Sequence, residues 1–129
     1  MIAELMTRLE AAGAGYKTIA HAWSLDDGLR NIRDQLPIAL FIPGAATSEP
    51  SPALPIRQRS TESVIVLTIC DWRDRQRLTD SLKGALLGYQ HADEYTELEH
   101  KAGEVTNIDG QVVHWLDAFT AHRYIEPAP

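Results

Sequence analysis

A chain of 129 residues, 44% hydrophobic and 23% charged, suits one domain with one core, so we expect a single domain over residues 1–129. The formal net charge of −6 argues against a protein that lives on phosphate backbones, because such domains usually carry a basic face. One cysteine rules out a disulfide within the chain, and no apolar run approaches the roughly 20 residues of a membrane span. The first residues lack the basic start of a signal peptide, so we expect the protein to stay in the cytoplasm where it is made.

The N-terminal part of the chain has the pattern of a helix followed by a strand. Apolar residues at helical spacing predict an amphipathic helix over residues 2–12, which Gly13 and Gly15 end. Tyr16–Trp23 is a short run of residues that favour an edge strand. We therefore expect this helix to lie against a sheet that begins near Tyr16.

Two runs that are apolar on both faces predict the centre of the sheet. Glu62–Cys70 carries four successive aliphatic residues, which is typical of a strand covered on both sides. Ile38–Ile42 has the same character, and we place it next to that central strand. Between Tyr16–Trp23 and this run, Ser24 and Asp27 have the spacing of a capping box and predict a second helix.

The most unusual segment follows the Ile38–Ile42 strand. Gly44–Pro55 is rich in proline and small residues, and we expect no regular structure in it. Ile56–Thr61 then places polar groups on both faces of a strand, which predicts a strand whose first half projects beyond the core. Gly44–Thr61 together form an arm, and we expect this arm to contact another subunit.

A turn and a helix follow the central strand. Trp72 lies in the turn between charged residues, where it is either an exposed aromatic anchor at an interface or a partly covered turn residue. Apolar residues at helical spacing from Leu78 to Leu86 predict a helix, and Gly88 ends it. The residues that we expect at a subunit or partner interface are therefore Pro50, Pro52, Pro55, Arg57, Gln58, Arg59 and Trp72.

The C-terminal part predicts a β-hairpin and a frayed tail over residues 126–129. The strands cover 97–106 and 111–124, and Gly110 suits a left-handed position in a four-residue turn. This register places Lys101 opposite Asp117 as a cross-strand charge pair. The whole pattern indicates an α/β (α+β) domain with a central mixed or antiparallel sheet that helices flank.

No group of residues has the spacing of a catalytic, cofactor or metal site. Asp71 and Asp74, on either side of Trp72 in the turn, have the positions of helix caps. Cys70 lies at the end of an apolar strand, where a structural thiol is expected. The histidines form no pair or cluster with ligand spacing. They are His21, His91, His100, His114 and His122. We therefore predict a protein that is not an enzyme and that needs no cofactor or metal.

A series of short motifs, in order and with matching spacing over most of the chain, resembles a known family. The motifs are Leu36–Gly44, Arg57–Glu62 running into Val64–Ile69, Leu86–Tyr89, Tyr95–Glu99, a hairpin with an Asp-Gly turn, and His114–Phe119. On these motifs the chain resembles the small tail terminator (tail-completion) proteins of long-tailed bacteriophages and prophages.

The resemblance implies a compact α/β subunit that forms a ring, commonly of six copies, on the end of the tail tube. It implies three partners: other copies of the chain, the tail tube protein and a head-completion or neck protein. It also implies a place in the virion tail after assembly in the host bacterial cytoplasm, with no stable nucleic-acid or membrane binding. The alternatives are a neck or baseplate adaptor of the virion, or a small-ligand-binding module with its pocket near Pro43-Gly44.

Overall fold

The computed structural model describes residues 1–21, 32–52 and 54–128, and these form one five-stranded sheet with two helices of three turns. The predicted capping box at Ser24 and Asp27 lies outside the described residues. In chain order the elements are α1 (Ile2–Ala12), β1 (Thr18–His21), a single turn α2 (Ile32–Gln35), β2 (Ile38–Ser48), β3 (Gln58–Asp71), a 3-10 turn (Trp72–Asp74), α3 (Arg75–Leu86), β4 (Glu99–Asp109) and β5 (Val112–Ile125).

The sheet is open and mixed, with the strand order β1-β2-β3-β5-β4. β1 runs parallel to β2, whereas the three other pairs are antiparallel. The predicted α+β class is confirmed, and so is the central place of the Glu62–Cys70 run, which lies within β3. β1 is the predicted edge strand, and Ile38–Ile42 lies beside β3 as expected.

The core lies between one face of the sheet and the two long helices. The helices present leucines at helical spacing to this face, because only those positions of an amphipathic helix point inward. The buried residues of the cluster include Leu5 and Leu9 of α1, Leu82 and Leu86 of α3, and Phe41, Val66 and Phe119 of the sheet. On the opposite face, Ile38, Leu40 and Ile69 are buried, whereas Ile65 and Leu67 of β3 are half-buried.

The C-terminal hairpin is present, but its turn and register differ from the prediction. Asp109 pairs with Val112, so the loop has two residues instead of four, and Gly110 has the predicted left-handed backbone with φ of 62°. The register shifts twice along β4, and Gly103 rather than Lys101 lies opposite Asp117. The expected Lys101 charge pair is therefore wrong, because each β-bulge inserts an unpaired residue that the sequence pattern does not reveal.

Candidate interface on the projecting arm

The arm begins at a β-bulge in β2. Pro43 pairs with Val64 and Ala46 pairs with Glu62, so two residues of β2 lie opposite Ser63 alone. A Cβ on Gly44 would lie 2.7 Å from the Cβ of Ser63, and therefore this close approach of two strands needs glycine. The strand then continues to Ser48. Our prediction of no regular structure in Gly44–Pro55 is thus wrong for its first five residues.

The base of the arm has three strands. The last residues of β2 pair with Ser60–Glu62, and on the other side the end of β5 pairs with the start of β3, where Gln58 lies opposite Ile125. The β3–β5 register is continuous over all 14 residues of β3. The loop between β2 and β3 is closed by a hydrogen bond of 2.9 Å from the backbone N–H of Glu49 to the carbonyl of Arg59. The arm is therefore an extension of the sheet.

A groove lies at the end of the arm, and we call it the tip groove. It is open and has a volume of about 620 Å³. Proline rings, an isoleucine and a tyrosine make up most of its wall. The residues that line it are Ser51, Pro52, Pro55, Ile56, Arg57, Tyr124, Glu126 and Pro127.

Arg57 organises the tip groove. Its guanidinium carbon lies 4.1 Å from the centroid of the Tyr124 ring, its Nε lies 3.3 Å from Oε1 of Glu126, and its backbone N–H donates to Oγ of Ser51 at 3.0 Å. The side chain is still 59% exposed, so the ion pair contributes little to stability. These contacts instead fix the position of a cation beside an aromatic ring at the surface.

Apolar side chains are exposed around this groove. Leu54 is 86% exposed, Tyr124 52%, Ile56 49% and Ile125 43%. Of these, Ile56 and Tyr124 line the groove itself, and exposed apolar surface of this kind is typical of contacts with other molecules. That the arm is an interface stays a prediction.

The structure brings some of the predicted interface residues together and separates one of them. Pro52, Pro55 and Arg57 line the tip groove. Pro50 precedes it in the exposed loop, and Gln58 and Arg59 begin β3 beside it. Arg59 Nη1 lies 3.6 Å from Oε1 of Glu49. Trp72 lies instead at the opposite end of β3.

Trp72 lies on the 3-10 turn after β3 and is 62% exposed. Its backbone N–H donates to the carbonyl of Gln111 at 2.8 Å. The carboxylate of Asp71 accepts from the side chain and the backbone N–H of Arg73, and these bonds lower the pKa of Asp71. The structure shows that Trp72 is an exposed turn residue, and its role as an aromatic anchor at an interface stays a prediction.

The sequence did not indicate Tyr124, Glu126 or Pro127 as interface residues. They come from the far end of the chain and reach the tip groove only because β5 runs alongside the full length of β3. Glu126 and Pro127 belong to the tail that we expected to be frayed. The length of the C-terminal strand could have indicated Tyr124. β5 and β3 both have 14 residues, so the end of β5 lies beside the start of β3 when the two strands pair along their full length.

A second polar arrangement lies inside the fold. The carboxylate of Asp117 is fully buried, and its Oδ1 lies 2.8 Å from Nε2 of His100, which is 21% exposed. Burial raises the pKa of the Cys70 thiol to about 11, with a further contribution from Asp74, which fits a structural thiol. Within the described residues, no group of three histidine, cysteine or carboxylate side chains is arranged to hold a metal ion.

Comparisons with known proteins define the fold. No protein-family model matches the chain, and no curated protein matches it. Among solved structures, a chain in the virion of a native gene transfer agent particle is similar to it, with a TM-score of 0.58 and 9% sequence identity over 96% of this chain and 92% of that chain. At this identity the likeness shows a shared fold along nearly the full length of both chains. In the described part of the chain, no helix combines the length and the apolar character needed to cross a membrane.

Proposed function

We propose that the protein is a structural component of a phage-like tail, and specifically a tail terminator. Copies of the chain form a hexameric ring on the tail tube, stop its polymerisation and present a surface to the head-completion protein. The observation that carries this proposal is the fold, which matches a chain of a gene transfer agent virion over 96% of this chain. The motifs from Leu36 to Phe119 point in the same direction, because they resemble the tail terminator family.

In this proposal the protein acts by assembly, without catalysis or a cofactor. The arm supplies an exposed apolar end, and the two long helices and the sheet hold that end in a fixed orientation. A ring uses one heterologous contact repeatedly, so each copy needs two different surfaces. The tip groove and the turn at Trp72 are two such surfaces on one subunit.

The test is an assembly assay with the cognate tail tube protein. Purified protein is added to polymerising tubes, and the tube length and the tube ends are examined by negative-stain electron microscopy. We expect capped ends and an arrested tube length. A variant that lacks residues 47–55 should fail to cap, whereas Glu10→Gln, a change on the exposed side of α1, should cap normally.

The alternative role as a neck or baseplate adaptor predicts a different result in the same assay. An adaptor would bind the head-completion or baseplate protein and leave the tube length unchanged. Light scattering on each pair of proteins separates these outcomes. A protein that binds neither tubes, nor the head-completion protein, nor the baseplate protein would contradict both structural roles.

A further inference from the structure

We propose that neighbouring copies join head to tail, with the indole of Trp72 of one copy in the tip groove of the next copy. This inference names the contact within the proposed ring, and in that sense it rests on the proposed function. It unites the two features that the sequence marked as interface residues and that the structure places far apart.

The tip groove and Trp72 lie at opposite ends of β3. The tip groove begins where Gln58 opens β3, and Trp72 directly follows Asp71, which closes it. Fourteen residues at about 3.3 Å each place the two about 45 Å apart. The exposed side chain of Trp72, which we call the knob, and the tip groove lie at opposite ends of one subunit. They cannot meet within that subunit, but they can meet between copies.

The chemistry of the groove fits an indole. The guanidinium of Arg57 lies against the ring of Tyr124, and because more than half of the Arg57 side chain is exposed, there is room for a second aromatic ring. The positive guanidinium and the negative face of an indole attract each other, and tryptophan is the strongest aromatic partner of a cation. The electrostatic complementarity therefore favours an aromatic knob over an aliphatic one.

The groove also offers a partner for the indole N–H. Glu126 contacts Arg57 through Oε1, and a carboxylate has a second oxygen that can accept a hydrogen bond. Tryptophan donates one hydrogen bond, from Nε1, and it usually finds an acceptor when it becomes buried. Within a volume of about 620 Å³, the indole has both an apolar wall and an acceptor.

A head-to-tail contact also predicts the diameter of the ring. If each copy contributes a step of about 45 Å, six copies close a ring of about 90 Å in diameter at the level of this contact. A symmetric contact, in which Trp72 meets Trp72 or groove meets groove, would stop at a dimer. The two arrangements therefore differ in the size of their products.

The experiment uses two variants that each remove one side of the contact. Trp72→Ser removes the knob and leaves the groove intact. Ile56→Asp places a charge in the groove and leaves the knob intact, and both residues are exposed in the subunit, so folding should not suffer. Matched controls are Ile108→Ser and Val105→Asp, which change apolar residues of similar exposure on β4.

Self-association is measured by sedimentation velocity up to about 1 mM protein. Wild type and both controls should associate, and each contact variant should have its dissociation constant raised about 30-fold or more, as for an interface hot spot. An equimolar mixture of the two contact variants should contain a 1:1 heterodimer that does not grow. This product forms only if the knob of one variant enters the groove of the other.

Several results would overturn the inference. They are a wild-type monomer at all concentrations, variants that associate like wild type, or a mixture without heterodimer. An Ile56→Asp variant that still self-associates but no longer caps tubes would show that a segment of the tube occupies the groove, which also refutes the inference. The tube assay distinguishes the two proposals. Capping without heterodimers would support the proposed function and refute the Trp72 contact. Heterodimers without capping would support the Trp72 contact and refute the proposed function.

Discussion

Removing the imidazole of His100 should destabilise the fold strongly. Asp117 is fully buried on the helix-facing side of β5, and its Oδ1 bonds to His100 Nε2 at 2.8 Å. In the described part of the chain, its Oδ2 has no hydrogen-bond partner. His100→Ala therefore leaves a buried carboxylate without its one side-chain partner.

The size of the effect follows from the cost of a buried carboxyl group that loses its hydrogen bond. An unsatisfied buried group of this kind costs about 3 kcal/mol. For a folded chain of 129 residues, each kcal/mol lowers the melting temperature by about 4 °C, so we expect a fall of about 12 °C. Thermal unfolding followed by circular dichroism at neutral pH measures it.

Two further variants separate the charge from the lost packing. His122→Ala removes a half-buried imidazole whose partner in the described part of the chain is a neutral hydroxyl, Thr61 Oγ1, and it should cost about 1 kcal/mol. Adding Asp117→Asn to His100→Ala should restore part of the stability, because a neutral amide is cheaper to bury than a carboxylate. A fall of less than about 3 °C for His100→Ala, or no recovery in the double variant, would refute the reasoning.

Two more changes test the bulge and the buried thiol. Gly44→Ala places a Cβ 2.7 Å from the Cβ of Ser63 and should lower the free energy of unfolding in urea by about 1–3 kcal/mol. The control Gly84→Ala, in α3 with open space around it, should raise the free energy of unfolding by up to about 1 kcal/mol. Equal effects of the two substitutions would contradict the bulge. Cys70 is fully buried with a pKa of about 11, above its unfolded value, so its contribution is complete below about pH 9 and is lost as the pH rises toward 11. The stability of Cys70→Ala should therefore fall less steeply than that of wild type between these pH values, and parallel pH profiles would contradict the assignment.

The sequence predicted the elements whose determinants are local. The leucines of α1 and α3 repeat with the period of a helix, and the aliphatic residues of β3 follow one another without a break, as in a strand at the centre of a sheet. It did not predict that β2 continues past Pro43, because Pro-Gly usually ends a strand. β2 nevertheless continues, because its residues on both sides of the bulge at Gly44 and Ala45 pair with β3.

What the sequence missed depends on contacts between distant residues. The register of β4 depends on two bulges, and these bulges place Gly103 opposite Asp117 instead of the predicted Lys101. The tip groove joins Arg57 to Tyr124 and Glu126, which are more than 60 residues away along the chain. Neither arrangement has a local pattern, so only the three-dimensional pairing of β3 with β5 reveals them.

One strand links the core to the interface. The middle of β3 contributes Val64 and Val66 to the core, while its first residues carry Arg59 into the arm, and its pairing with β5 has no break between the two regions. The paired strands of the arm are therefore formed before any partner binds, and assembly need not supply the entropy of folding them. In the ring that we propose, closure makes every copy bind at both ends, so each contact can be smaller than the contact that a lone dimer needs.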